Sequence, residues 1–429
     1  MTWINNERRV VVTGMGIISP IGETLPVYLD SLKSGRSGIT RWKQMDERII
    51  SKIGGDMSDF TAADHFKRVG NCYPREFVER ANKILQFTPL VGNLTIAAAL
   101  QAYLDAGLPD SRIEPERFAH VLGGANLNTD YTLRNHEIFI NDPEYIEPLY
   151  TAIYLDTDVL SKVSELLNLR GPTFTVGNVC ASGNMALLCG VDLLRAGRAD
   201  AVVVTSTAPG IDPIYLQSLG IMNVLSSQSF NDEPWRASRP FDARREGFVP
   251  SEAAAAVVIE TLDGARSRGA RIHAEVLGGS ATSDASRSPS PHVDGPVRSI
   301  RGALKDAGVN LDQIDYINSH GTSTIAGDVA EVEAIKIVFG EHAYHIPINS
   351  TKSMLGHCLW ASALVELIAT ILQMQNDFVH PTINQEEKDP VLDLDFVPNE
   401  ARDYRFNYAL SNSFGFGGLN ACVVVGRTP

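Results

Sequence analysis

The chain has 429 residues, more than one ordinary hydrophobic core accommodates, so two domains or one large unit built from two similar halves is expected. Hydrophobic residues make up 44% and charged residues 21%, a soluble globular balance, and no run of about 20 apolar residues offers a bilayer span. A net charge of −14 repels nucleic acid and anionic membranes, and leaves an acidic partner only a local basic patch on which to dock.

The opening MTWINNERRVVVTGMG has no apolar stretch of signal-peptide length, which leads us to expect a cytoplasmic protein. Residues 8–19 (RRVVVTGMGIIS) read as a buried strand stopped by Ser19-Pro20. Helical spacing follows over 25–33 and 90–106, the second opened by Thr88-Pro89 and closed at Gly107. An apolar helix at 181–197 is predicted between strands, with buried strands at 198–206 and 252–260. The polar stretch 262–271 then marks a boundary, giving units 1–265 and 266–429, and a new strand opens at Ile272. The second unit repeats the style of the first: a helix over 296–307, a strand at 315–318, a helix near Asp328, a helix over 358–374, and closing strands around Tyr408 and Cys422. Residues 278–295 read as a mobile loop. This alternation predicts an α/β fold.

Five cysteines (Cys72, Cys180, Cys189, Cys358, Cys422), widely spaced and without a CxxC, argue for free thiols over a disulfide framework or a zinc site. Cys180 stands between a strand-like run and a small-residue helix, the setting of a nucleophile elbow. There the helix N-terminus lowers a thiol pKa and offers backbone N–H groups to an oxyanion. Taken alone it fits an inert core cysteine equally well, the reading we give Cys189, Cys358 and Cys422. Two further loops bear on the choice. DYINSHGTSTIAGD carries His320 off a strand end, and STKSMLGHCLWAS holds Lys352 and His357 ahead of an apolar helix. Two histidines in glycine-containing loops at helix starts, with a comparably placed cysteine, point to one catalytic constellation.

With these motifs in order, VVTGMGIISPIG, CASG, PFDARREGF, HGTSTIAGDVAE, STKSMLGH and NSFGFGG, the chain resembles β-ketoacyl-[acyl carrier protein] synthases of the thiolase superfamily over essentially its full length. The likeness is to synthase II and stand-alone type II polyketide ketosynthases. It implies a thiolase-like fold, two similar α/β halves in α-β-α-β-α layers. It implies decarboxylative Claisen condensation of an acyl-enzyme thioester with malonyl-acyl carrier protein, in fatty-acid or polyketide elongation. The catalytic set carried over is Cys180 as nucleophile, His320 and His357 as enolate donors, Lys352 and Glu331 as a supporting ion pair, Asp328 as a structural acid, and Phe416 as gate and, with Cys180, backbone oxyanion donor. Thr322, Thr324, Phe414 and Gly417 are carried over as substrate-binding, although both threonines equally fit turn caps.

The same resemblance implies no tightly bound cofactor, with substrates carried on the phosphopantetheine of acyl carrier protein. It implies a homodimer or a heterodimer with a chain-length-factor-like subunit, and neither nucleic acid nor membrane as partner. Lys67, Arg68, Arg80 and Lys83 are candidates for a basic docking rim. Leu419 where the family usually has Thr, SEAAA at 251–255 for GEGAG, and Lys83-Ile84-Leu85 for a KMD-like triplet mark a specialised relative, suited to a secondary-metabolite pathway. The alternatives are a thiolase acting on coenzyme A thioesters, whose second base is typically a cysteine, and a chain-length-factor-like subunit, whose hallmark is loss of the nucleophile. A starter-unit decarboxylase generally carries Ser or Gln at position 180.

Overall fold

The structure, a computed structural model, describes residues 8–286, 288 and 290–428; the N-terminal heptapeptide and two residues of the loop expected at 278–295 lie outside the described residues. Ten strands form the main sheet: β1 (Val10–Ile18), β2 (Phe118–Gly123), β3 (Thr173–Val176), β4 (Ala201–Thr207), β5 (Ala254–Thr261), β6 (Ala274–Ser283), β7 (Tyr316–Asn318), β8 (Ile348–Asn349), β9 (Tyr408–Gly415) and β10 (Leu419–Gly426). Their spatial order is β3-β2-β4-β5-β1-β6-β10-β9-β7-β8. Each half therefore lays its five strands down in the order third, second, fourth, fifth, first. Pairing repeats too: β2 is parallel to β3 and β4, and β7 to β8 and β9, while β4-β5-β1 and β9-β10-β6 are antiparallel. A short antiparallel contact of Val10–Val12 with Ala274–Val276 joins the halves.

Five helices define the layers: α1 (Leu90–Asp105), α2 (Ser182–Arg195), α3 (Asp294–Ala307), α4 (Ile325–Phe339) and α5 (Ser362–Gln375). The central pair, α2 and α5, touch each other and strands of both halves, whereas α1 covers β1, β5 and β4 on one outer face and α3 covers β6 and β10 on the other. The result is the expected α-β-α-β-α stack. Buried on both faces, β1 is the near-continuous apolar run that such a layer requires.

Gly14 and Gly16 let α1 lie directly on β1: a Cβ on Gly16 would meet the Ala98 carbonyl oxygen at 2.0 Å, and one on Gly14 the Ala102 oxygen at 2.1 Å. The early glycines therefore serve helix packing. Two expected boundaries move. The loop expected at 278–295 is shorter, because β6 runs to Ser283 and α3 begins at Asp294 with Pro296 in its first turn. The helix expected near Asp328 begins at Ile325, where the Thr324 side chain accepts from the Gly327 N–H. Among the described residues no helix is long and apolar enough to cross a membrane.

Candidate active site

After β3 the chain bends through Val179 at φ +49°, in the left-handed region that a β-branched residue occupies only when its surroundings force it. A 3-10 turn, Val179–Ala181, then leads into α2, and the Ser182 hydroxyl pins the bend by accepting from Asn178 N at 2.9 Å and donating to Val179 O at 2.6 Å. This elbow holds Cys180 in the interior, 6% exposed, in the wall of a cavity of about 270 Å³.

His357 follows a short helix, Lys352–Leu355, and Gly356 at φ +79°. Its Nε2 lies 3.2 Å from Cys180 Sγ, while its Nδ1 accepts from Leu359 N at 3.2 Å and from the Ser362 hydroxyl at 2.8 Å. A ring nitrogen that accepts a backbone N–H carries no proton, so the neutral ring holds its hydrogen on Nε2, facing the sulfur. His320, carried off the end of β7, stands 5.5 Å from His357 between ring centroids at 82°. One ligand atom from each of Cys180, His320 and His357 lies within 4.8 Å of the others.

Burial pushes both imidazoles well below the ordinary histidine range, and the Lys352 charge adds to this, as does His357 for His320. Both rings are neutral at pH 7. The expected acidification of the thiol does not occur: burial pushes Cys180 up to about 12, outweighing the Lys352 charge and the N–H groups of Phe416 and Cys180 that face the sulfur.

The Lys352–Glu331 ion pair is also corrected. The Lys352 ammonium pairs with Glu366 on α5, both fully buried. Glu331 instead accepts from His320 N at 2.8 Å, Gly321 N at 2.7 Å and Asn412 Nδ2 at 3.1 Å, so it fixes the backbone of the His320 loop. Asp328 is structural, accepting from Phe241 N and Ser323 N beside Arg245.

Thr322, Thr324, Phe414, Phe416 and Gly417 all line the cavity. Thr322 and Thr324 share a hydrogen bond of 2.9 Å, so the Thr324 cap still presents a hydroxyl pair to the cavity wall. The ring of Phe414 lies 5.9 Å from His320, and Phe416 is 37% exposed. The four basic docking candidates are not brought to this cavity: none lines it, Lys67 pairs with Asp64, Arg68 with Glu23, and Arg80 donates to Leu166 O. Sequence reasoning missed Glu366 and Ser362, and also Trp360 and Tyr215, which line the cavity. A lone acid inside the apolar run ALVELI was the one available signal for Glu366.

Residues 7–265 match the β-ketoacyl synthase N-terminal domain and residues 273–386 its C-terminal domain. The chain is 33% identical over 425 residues to a 3-oxoacyl-[acyl-carrier-protein] synthase 2 of Coxiella burnetii (98% of this chain, 99% of that one). It is 36% identical over 421 residues to that of Synechocystis (96% and 97%). Among solved structures it is similar to the ishigamide ketosynthase/chain length factor, with TM-score 0.86, 32% identity and coverage of 98% and 100%. It is also similar to a type II polyketide ketosynthase bound to a hexaketide, in complex with its acyl-carrier protein, with TM-score 0.84, 29% identity and the same coverage.

Proposed function

The chain belongs to the β-ketoacyl synthase family, and we propose that it condenses an acyl group held on Cys180 with malonyl-acyl carrier protein, releasing carbon dioxide. In the loading step the Cys180 sulfur attacks the acyl thioester carbonyl. The new C–S bond forms as the carrier thiol leaves with the proton, and the N–H groups of Cys180 and Phe416 hold the oxyanion. In the second step malonyl thioester loses carbon dioxide to give an enolate. Its oxygen takes the Nε2–H of His357 and a second hydrogen bond from His320. The enolate carbon then attacks the Cys180 thioester, the C–C bond forms, and the C–S bond breaks to release the Cys180 thiolate, which takes a proton from water to restore the thiol.

Neutral rings suit this task, because donation to a developing negative charge needs N–H groups and no proton transfer. Burial keeps the rings neutral, the charge of Lys352, paired with Glu366, adds to this, and Glu331 positions His320. Thr322 and Thr324 bind the phosphopantetheine arm, and the chemistry requires no cofactor beyond it. Acyl carrier protein is the partner in fatty-acid or type II polyketide elongation, and the second subunit is either another copy or a chain-length-factor-like chain.

The observation that carries this reading is the convergence of one sulfur and two imidazoles from three distant loops. Cys180→Ala should abolish acyl loading, and Cys180→Gln should retain malonyl decarboxylation without condensation, as followed by intact-mass and carbon dioxide assays. Condensation by either variant would refute the assignment.

A further inference from the structure

The elbow that carries Cys180 occurs twice. In the second half Leu359, at φ +51°, opens a 3-10 turn, Leu359–Ala361, that runs into α5 at Ser362, as Val179 does ahead of α2 at Ser182. The sequences align as VCAS and LWAS, and the two turns pack together. Trp360 is thus the counterpart of the nucleophile, presented by the same backbone device, and it lines the same cavity.

The indole is both hydrogen-bonded and packed. Its Nε1 donates to Ala125 O at 2.9 Å, and its own carbonyl accepts from Ser206 at 2.6 Å. Behind it lie Val91, Leu122, Leu127 and Leu160, and a Cβ built on Gly124 would touch its ring at 3.6 Å. At about 270 Å³, shared between acyl group and pantetheine arm, the cavity falls below the roughly 300–1,000 Å³ usual for small-molecule sites.

We infer that Trp360 is the end wall of the acyl arm and confines the enzyme to short acyl chains, an inference that rests on the condensing reading above. The full-length enzyme, Trp360→Ala and Trp360→Phe are offered butyryl-, hexanoyl-, octanoyl- and decanoyl-acyl carrier protein, with loading read by intact mass and kcat/KM measured for each. The parent should favour butyryl and hexanoyl groups. Trp360→Ala should raise the octanoyl-to-butyryl ratio of kcat/KM by about 10-fold or more, the scale at which pockets discriminate methylenes. Trp360→Phe, which keeps most of the bulk, should keep the parent's ranking; if the alanine variant does not fold, Trp360→Leu takes its place and should shift the ratio the same way. An unchanged chain-length profile in a folded Trp360→Ala or Trp360→Leu variant, or a parent that takes decanoyl as readily as butyryl groups, overturns the inference. A parent that loads no acyl group on Cys180 defeats the condensing reading itself, a separate and recognisable failure.

Discussion

At the scale of single residues, the balance at Cys180 is between a helix N-terminus that favours thiolate and an interior that opposes it. A macrodipole contributes about 0.3–1 kcal/mol in ordinary settings, whereas full burial moves a pKa by several units, so burial prevails. With the thiol pushed up to about 12, carboxymethylation of Cys180 should accelerate about tenfold per pH unit from 7 to 9 with no plateau. A plateau below pH 8 would show a thiolate already stabilised in the resting enzyme. The neutral imidazole at His357, its proton fixed on Nε2 by the Leu359 N–H, predicts that His357→Ala slows malonyl decarboxylation about 100–1000-fold while acyl loading at Cys180 persists, as radiolabelled acyl transfer would separate. Equal loss of both steps would give His357 a role in loading as well.

At the scale of elements, the site depends on loops whose geometry is set from below by buried carboxylates. Glu331 reaches up from α4 to collect two successive backbone N–H groups of the His320 loop and an amide from β9. Glu331→Gln would set its own NH₂ against one of these donors, leaving a buried N–H without an acceptor at a cost of about 1–3 kcal/mol. Condensation should fall at least about tenfold while Cys180 carboxymethylation is unchanged, and an unaltered condensation rate would remove Glu331 from the positioning role. The strands were legible because buried β-branched runs of this length fit few other structures. The start of α4 was less so, since Thr324 caps through a side chain that pattern alone leaves equally free to bind substrate. Lys352 was matched to the wrong acid because Glu366 sits 14 residues away inside an apolar helix, where no local spacing links the two.

At the scale of the whole molecule, duplication buries the facing surfaces of both halves around α2 and α5, and with them several ionisable groups. Glu252, flanked by Ser251 and Ala253 where the family usually has glycines, accepts the Met57 N–H at 2.7 Å and is pushed up to about 7 by burial. Its folded pKa lies above the ordinary 4.5, so the folded state holds a proton that the unfolded chain releases. That contribution to stability is complete at low pH and is lost as pH rises through about 7. Melting temperature should therefore decline from pH 5 to 8, and Glu252→Gln, which keeps the acceptor for Met57, should flatten the decline. An identical slope in the variant would assign the pH dependence to other groups.

The sequence alone determined the fold class, the repeated α/β style and which cysteine and two histidines would converge, because ordered motifs and hydrophobic periodicity are local properties of the chain. Only the tertiary structure decided that the thiol is high rather than low in pKa, that Lys352 answers Glu366, and that Trp360 lines the same cavity as Cys180 from a matching turn. Each of those depends on what lies across the layer interface, and burial, dielectric and ion pairing are set by neighbours that are distant along the chain.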